Sequence, residues 1–237
     1  MSLDPFQADV ARIALAAAEG HDFALAGGNA LIAHGLVLRV TEDVDLFTSR
    51  AGGLGQVTPA VVAALQAAGC EVAVRRASTD GDFSRLVVTR DGRSTELDLA
   101  RDWRTHPAVR LGVGPVLHLE DAIANKVCAM IGRGLPRDYI DVAGAAASMP
   151  REKLLRTAFE HDQGLRVEDV AAALSSSTGS ARTTSPATAL TKTPSADCAR
   201  RSSTGRGTSK PTTRAAPRTR RRTHQTPMTW KTLGQGG

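Results

Sequence analysis

The sequence predicts an α+β protein: an amino-terminal α/β half built on a mixed sheet, an all-helical half after it, and a carboxy-terminal tail outside the fold. Three observations carry this prediction. Through residue 112 short apolar runs alternate with helical spacings; beyond Pro115 the spacing is helical only; and from Ser175 the composition shifts to Ser, Thr, Arg, Pro and Ala with almost no periodic apolar positions. With 237 residues, 41% hydrophobic but only 3% aromatic, the chain is long enough to bury a core, and that core has to be made of Ala, Val and Leu.

From Phe6 to Glu19, Val10, Ile13, Leu15 and Ala17 fall at helical spacing, and Gly20 ends the run. Phe23 to Ala26 is a short apolar run suited to a buried strand. Gly27-Gly28 follows, then a short helix from Asn29 to His34, stopped by Gly35. Val44 to Thr48 reads as a strand and Pro59 to Ala68 as a helix closed by Gly69. Glu71 to Arg75, Ser84 to Thr89 and Thr95 to Leu99 read as strands, the last two joined by the turn Asp91-Gly92. Four helices follow: Leu119 to Ile131, Arg137 to Ala147, Arg151 to Glu160 and Val167 to Leu174. The expected division is a core over 1–112, a helical region over 113–174 and a basic tail over 175–237.

The net charge of +6 alone would suggest a nucleic-acid binder, but it is unevenly placed. Residues 175–237 hold 12 Lys and Arg against one acid, Asp197, and the rest of the chain carries a net −5. The tail cannot bury enough surface to offset the entropy of ordering it, so it is expected to be disordered. It reads as a basic arm holding phosphates, as a segment without a role, or as out-of-frame translation of a helical region. The last is favoured, because GC-rich codons shifted by one base let Ser177 to Thr204 encode an acidic, helix-like sequence. No stretch approaches the roughly 20 consecutive apolar residues of a membrane helix, and Asp4, Asp9 and Arg12 argue against a secretory signal. Cys70, Cys128 and Cys198 are far apart and outside any C-x-x-C pattern, which reads as reduced, cytoplasmic thiols without a zinc site.

The chemistry concentrates between Ala24 and Phe47. Asp43 and Asp45, two apart on a strand, point to one face. Neighbouring anions repel, so the pair makes sense around hard divalent cations such as Mg²⁺ beside phosphates; a solvated edge strand is the alternative. Gly27-Gly28 follows an apolar strand and opens a helix, where bare backbone N–H groups can meet a phosphate, although such a pair is commonly just a turn. Asp98, in T-E-L-D-L-A, shares a face with Glu96 and Ala100 while Leu97 and Leu99 face the other way. If its strand lies beside that of Asp43 and Asp45, three carboxylates converge, the equipment of two-metal phosphoryl transfer.

G-G-N-A-L-I-A-H-G followed by R-V-T-E-D-V-D-L-F resembles the first motif of the nucleotidyltransferase superfamily, in the form used by AbiEii/AbiGii-like toxins. These are bacterial toxin and abortive-infection proteins, with mycobacterial members that modify tRNA. Gly27, Gly28, His34, Arg39, Thr41, Asp43 and Asp45 occupy the pattern, and Lys126 followed by Arg137-Asp138-x-x-Asp141 matches its later part; the resemblance spans about residues 20–174. It implies a nucleotidyltransferase-like core with an NTP and two Mg²⁺ ions. Asp43, Asp45 and Asp98 would be catalytic and metal-holding, and Gly27, Gly28, Asn29, Arg39, Thr41, Lys126, Asp138 and Asp141 would surround the nucleotide. Lys126 would meet the triphosphate, although most helix lysines are simply solvated. Asp138 and Asp141 share a helical face. Asp141, between Ile140 and Val142, is the better polar contact near the nucleotide, whereas Asp138 suits the first-turn dipole. Arg39 and Thr41 would organise the approach to the acids, and His34 reads as structural. Asn29 stands where many members have Ser or Thr, and can cap the helix.

The resemblance implies transfer of an NMP to an acceptor hydroxyl, the 3′ end of a tRNA, by a toxin paired with an antitoxin protein. The acidic body leaves RNA a local patch: Arg75, Arg76, Arg85, Arg101 and Arg104. Two rival readings are a protein or small-molecule acceptor, and an inactive remnant that binds nucleic acid through its tail, since residues after Leu174 depart from family sequence.

Overall fold

In the computed structural model, residues 3–52 and 54–180 are described. Helix α1 (Pro5–Ala17) starts at Asp4, whose carboxylate accepts the Gln7 N–H at 3.1 Å, with Pro5 in the first turn. Strand β1 (Ala24–Leu25) leads through Ala26 into α2 (Gly27–Ala33), then β2 (Asp43–Thr48), α3 (Leu54–Ala67), β3 (Glu71–Ala77), β4 (Phe83–Arg90) and β5 (Arg93–Arg101). A short pair, β6 (Val109–Leu111) and β7 (Gly114–Val116), precedes α4 (Leu119–Gly132), α5 (Pro136–Ala146), α6 (Arg151–His161) and α7 (Val167–Ser180).

The seven strands form one mixed sheet in the order β3-β4-β5-β2-β1-β7-β6. The pairs β2–β5 and β1–β7 are parallel and the others antiparallel. Strand alternation then decides which face does what. Val44, Leu46, Leu97 and Leu99 are fully buried and join Val10 and Ala14 of α1 and Val57, Val61 and Leu65 of α3 in one core, which is Ala-, Val- and Leu-rich as expected. The opposite face of β2 and β5 carries Asp43, Asp45 and Asp98. The parallel register sets Asp45 against Asp98, Asp43 against Glu96 and Phe47 against Ala100.

The β4–β5 hairpin turns at Asp91-Gly92, both at positive φ (52° and 73°), the conformation a two-residue hairpin loop requires. Element ends shift by a few residues throughout, and three larger differences from the sequence reading bear on the architecture. The β6–β7 hairpin was not expected: strands of three residues broken by Gly112 and Pro115 are too short to show a period, yet Val116 pairs with Leu25, so the sheet runs past residue 112. Helix α3 starts at Leu54 rather than Pro59. Proline removes one helical hydrogen bond there, but the turn before it buries Leu54 and Val57 in the core. Helix α7 continues past Leu174 to Ser180, and Ser175 Oγ donates to Ala171 O at 2.8 Å one turn back. The expectations for the tail beyond Ser180, its basic-arm role and its out-of-frame origin included, lie outside the described residues.

Candidate active site

Asp43, Asp45 and Asp98 line one cleft together with Gly27 and Lys126. Gly27 sits at φ 59°, and a Cβ there would run into the Asp45 carboxylate, so only glycine lets the chain pass so close to the acid. The Ala26 N–H donates to Asp45 O at 2.8 Å and ties the glycine turn to β2. Burial, reinforced by the charges of Asp43 and Asp98, pushes the Asp45 carboxyl up to about 7. Asp98 is held by Arg85 of β4 in a two-pronged ion pair at 2.8 and 2.7 Å, and the same guanidinium reaches Glu96 at 3.1 Å. Crowded carboxylate oxygens with no soft ligand among them are the donor set a hard divalent cation prefers, and such an ion would relieve the repulsion that raises Asp45. The three acids therefore fit Mg²⁺.

The cations facing this cluster are fixed from behind. Lys126 is 6% exposed, not the solvated lysine that helix statistics favour; its Nζ lies 3.0 Å from Asp141 Oδ2 and 3.8 Å from Asp138 Oδ1. Arg39 donates to both oxygens of Asp141 at 2.6 and 2.7 Å, and Arg133 to both oxygens of Asp138 at 2.8 and 2.9 Å. Asp138 and Asp141 are wholly buried. Burial works against charge on Asp141, but the Arg39 hydrogen bond and the Lys126 charge outweigh it and keep that carboxyl below its usual range. Neither aspartate lines the cleft; each positions the cations that do. Helix α5 comes close enough for this because Gly144 packs on the chain before Arg39, where a Cβ would lie 2.9 Å from Leu36 O.

The other nucleotide candidates face away from the cleft. Thr41 Oγ1 lies 2.7 Å from Gln7 Oε1 and 2.8 Å from Asn29 Oδ1, and Asn29 Nδ2 donates to Asp43 O at 2.9 Å. This buried network with Gln7 fixes the backbone where β2 begins. Asn29 caps nothing, since α2 has no side-chain cap. Gly28 lies beneath Arg39 and Thr41: a Cβ would come within 2.6 Å of Arg39 Nη2 and 2.8 Å of Thr41 Cγ2. Its role is close packing. His34 is structural, its Nε2–H donating to Leu117 O at 2.9 Å.

The sequence reading missed Arg133 and treated Arg85 as part of an outer patch. The signals were present: Arg133 lies five residues before Asp138, and Arg85 opposes Asp98 across the hairpin whose turn was recognised. Arg101 pairs with Asp82 at 2.7 Å and Arg104 with Asp22, so of the five arginines suggested for RNA only Arg75 and Arg76, exposed on β3, remain outer charges. Away from the cleft, His106, His118 and Asp121 bring one ligand atom each within 4.8 Å of one another. Two of these groups are already engaged: His118 Nδ1 accepts the Glu120 N–H as the cap of α4, and Asp121 accepts the loop N–H groups of Thr105 and His106.

No helix among the described residues is long and apolar enough to cross a membrane. Among solved structures, the chain is similar to MenT4, a nucleotidyltransferase toxin from Mycobacterium tuberculosis H37Rv. Identity is 22% and the TM-score 0.51, with 68% of each chain covered. It is also similar to JHP933 from Helicobacter pylori, at 18% identity and TM-score 0.45, covering 73% of this chain and 90% of that one. The MenT4 likeness agrees with the α+β, nucleotidyltransferase-like fold. No curated protein matches the chain in sequence. The sequence pattern of the nucleotidyl transferase AbiEii toxin, of a type IV toxin–antitoxin system, matches residues 10–185. The chain belongs to that family and is a nucleotidyltransferase.

Proposed function

We propose that the protein transfers a nucleoside monophosphate from an NTP to the 3′-terminal hydroxyl of a tRNA, using Mg²⁺, in the cytoplasm, as the toxin partner of an antitoxin protein. The observation that carries this reading is the register of β2 on β5, which sets Asp45 against Asp98 with Asp43 on the same face, beneath Gly27 and opposite Lys126.

In the reaction the acceptor oxygen bonds to the α-phosphorus, the bond to the bridging oxygen breaks, and pyrophosphate leaves with the electron pair. Asp43 and Asp45 would hold Mg²⁺, which when bound would supply the charge that neutralises the triphosphate and lowers the pKa of the acceptor hydroxyl. Asp98 would take the acceptor's proton or, acting instead as a further oxygen ligand, leave that proton to solvent water; each of its oxygens keeps a lone pair beside its Arg85 hydrogen bond. Lys126, held by Asp141 and more distantly by Asp138, meets the triphosphate as a compact charge, and Arg133, held by Asp138, adds a second. Gly27 keeps the backbone near Asp45 while leaving room for the substrate. Arg75 and Arg76 offer the outer charge for an RNA backbone.

The test is incubation of the purified protein with each labelled NTP, Mg²⁺ and total tRNA. Label on tRNA is the expected result. Label on protein or on a small hydroxylated compound moves the acceptor to the alternative class, and absence of any transfer contradicts the proposal.

A further inference from the structure

The cleft does not end at the acids. On the acid-bearing face, β2 continues from Asp45 to Phe47 and β5 from Asp98 to Ala100, with Phe47 and Ala100 in register. Asp102 follows just beyond β5, its N–H donating to Thr48 O at 2.9 Å. At roughly 3.3 Å per residue the four residues from Asp98 to Asp102 span about 13 Å. Phe47, Ala100, Asp102 and Asn125 all line this extension. The order along it is anionic, then apolar, then polar.

Asn125 at the polar end is the anomaly. Its Oδ1 is enclosed with no hydrogen-bond partner, and its Nδ2, enclosed as well, has only the Asp102 carboxylate to donate to. His161 stands behind Asp102, its Nε2 3.9 Å from Asp102 Oδ1. Enclosed polar groups are paired in native proteins with few exceptions, and an orphan lining a cleft points to a ligand that completes it. A carboxamide offers one donor and one acceptor side by side, the pattern that matches a nucleobase edge. Phe47 and Ala100 supply the apolar surface a ring needs between that amide and the acids.

We propose that this end of the cleft is a nucleobase pocket in which Asn125, backed by Asp102, reads the base edge of the incoming NTP over Phe47. The assignment rests on the nucleotidyltransferase reading above. It commits to the incoming nucleotide rather than the acceptor's terminal base because Asn125 directly precedes Lys126 on α4 and both line one cleft, so a single molecule reaches both.

The experiment is calorimetric titration of the full chain, with Mg²⁺, by non-hydrolysable analogues of the four NTPs and by inorganic tripolyphosphate. The wild-type protein is expected to prefer one base by about tenfold or more. Asn125→Ala should bring the four analogues within about threefold of one another and leave tripolyphosphate affinity unchanged. Asn125→Asp and Asp102→Asn, which keep side-chain size, should shift the preference and serve if the alanine variant does not fold. Equal wild-type affinity for all four analogues overturns the pocket, as does a preference that survives all three substitutions. Unchanged NTP preference with weakened binding of an RNA oligonucleotide assigns the pocket to the acceptor and overturns the commitment to the incoming base. Failure of tripolyphosphate to bind the wild-type protein counts instead against the nucleotidyltransferase site itself.

Discussion

Asp45→Asn should stabilise the metal-free protein while destroying its activity. The Asp45 carboxyl is pushed from its ordinary 3.8 up to about 7 by burial and by Asp43 and Asp98. The folded state therefore keeps a proton that the unfolded chain releases. Below pH 3.8 both states are protonated and the residue costs nothing. As pH rises towards 7 the unfolded state gains, and wild-type stability falls by about 1.36 kcal/mol per pH unit. The full displacement sets a ceiling of about 4 kcal/mol above pH 7. Asp45 is half-buried, and solvent screening brings the expected value to about 1–3 kcal/mol. Asparagine has the same shape and no charge, so the variant escapes this loss. Urea unfolding in EDTA at pH 4 and pH 8 reads the effect: near-equal stabilities at pH 4, the variant ahead at pH 8, with its melting temperature raised by about 2–10 °C. Adding Mg²⁺ should stabilise the wild type selectively and narrow or reverse the gap. A variant less stable than wild type in EDTA at pH 8 would refute the claim that three anions crowd this site.

Other outcomes follow from the same geometry. Mg²⁺ binding to the wild-type protein should weaken as pH falls below about 7, because Asp45 must lose its proton to become a ligand; calorimetry at pH 6 and pH 8 measures this. Asp141→Ala strands Arg39 and Lys126 beside an emptied buried position and should cost about 3–5 kcal/mol in urea unfolding. Gly27→Ala should displace Asp45 and abolish transfer, whereas Gly20→Ala, at φ 81° with nothing within 4 Å, should pay only the backbone penalty of about 1 kcal/mol and keep activity.

Much of this was legible in the chain. The convergence of Asp43, Asp45 and Asp98 needed only strand alternation plus one adjacency, and that adjacency exists as the parallel β2–β5 pair. Less legible was which polar residues face the cleft. Asn29 and Thr41 belong to the motif by position, yet their partner is Gln7, 22 and 34 residues away, so spacing could not show that they point inward. Asp138 and Asp141 were recognisable as a pair, but their duty of aiming Arg133, Arg39 and Lys126 depends on how closely Gly144 lets α5 approach Leu36. Arg101 and Arg104 look like free positive charge in the sequence, and tertiary pairing with Asp82 and Asp22 takes them up. Asn125 carries no sequence signal; it stands out only because its amide oxygen is enclosed without a partner.

The most direct measurement is the rate at which labelled NMP moves onto tRNA, compared between the wild-type protein and Asp43→Ala at saturating Mg²⁺, with unfolding curves showing both chains folded. Loss of label transfer by about a thousandfold or more in the variant is the predicted result. A folded Asp43→Ala protein that still transfers label at the wild-type rate would place the chemistry outside the cleft of Asp43, Asp45 and Asp98 and contradict the account.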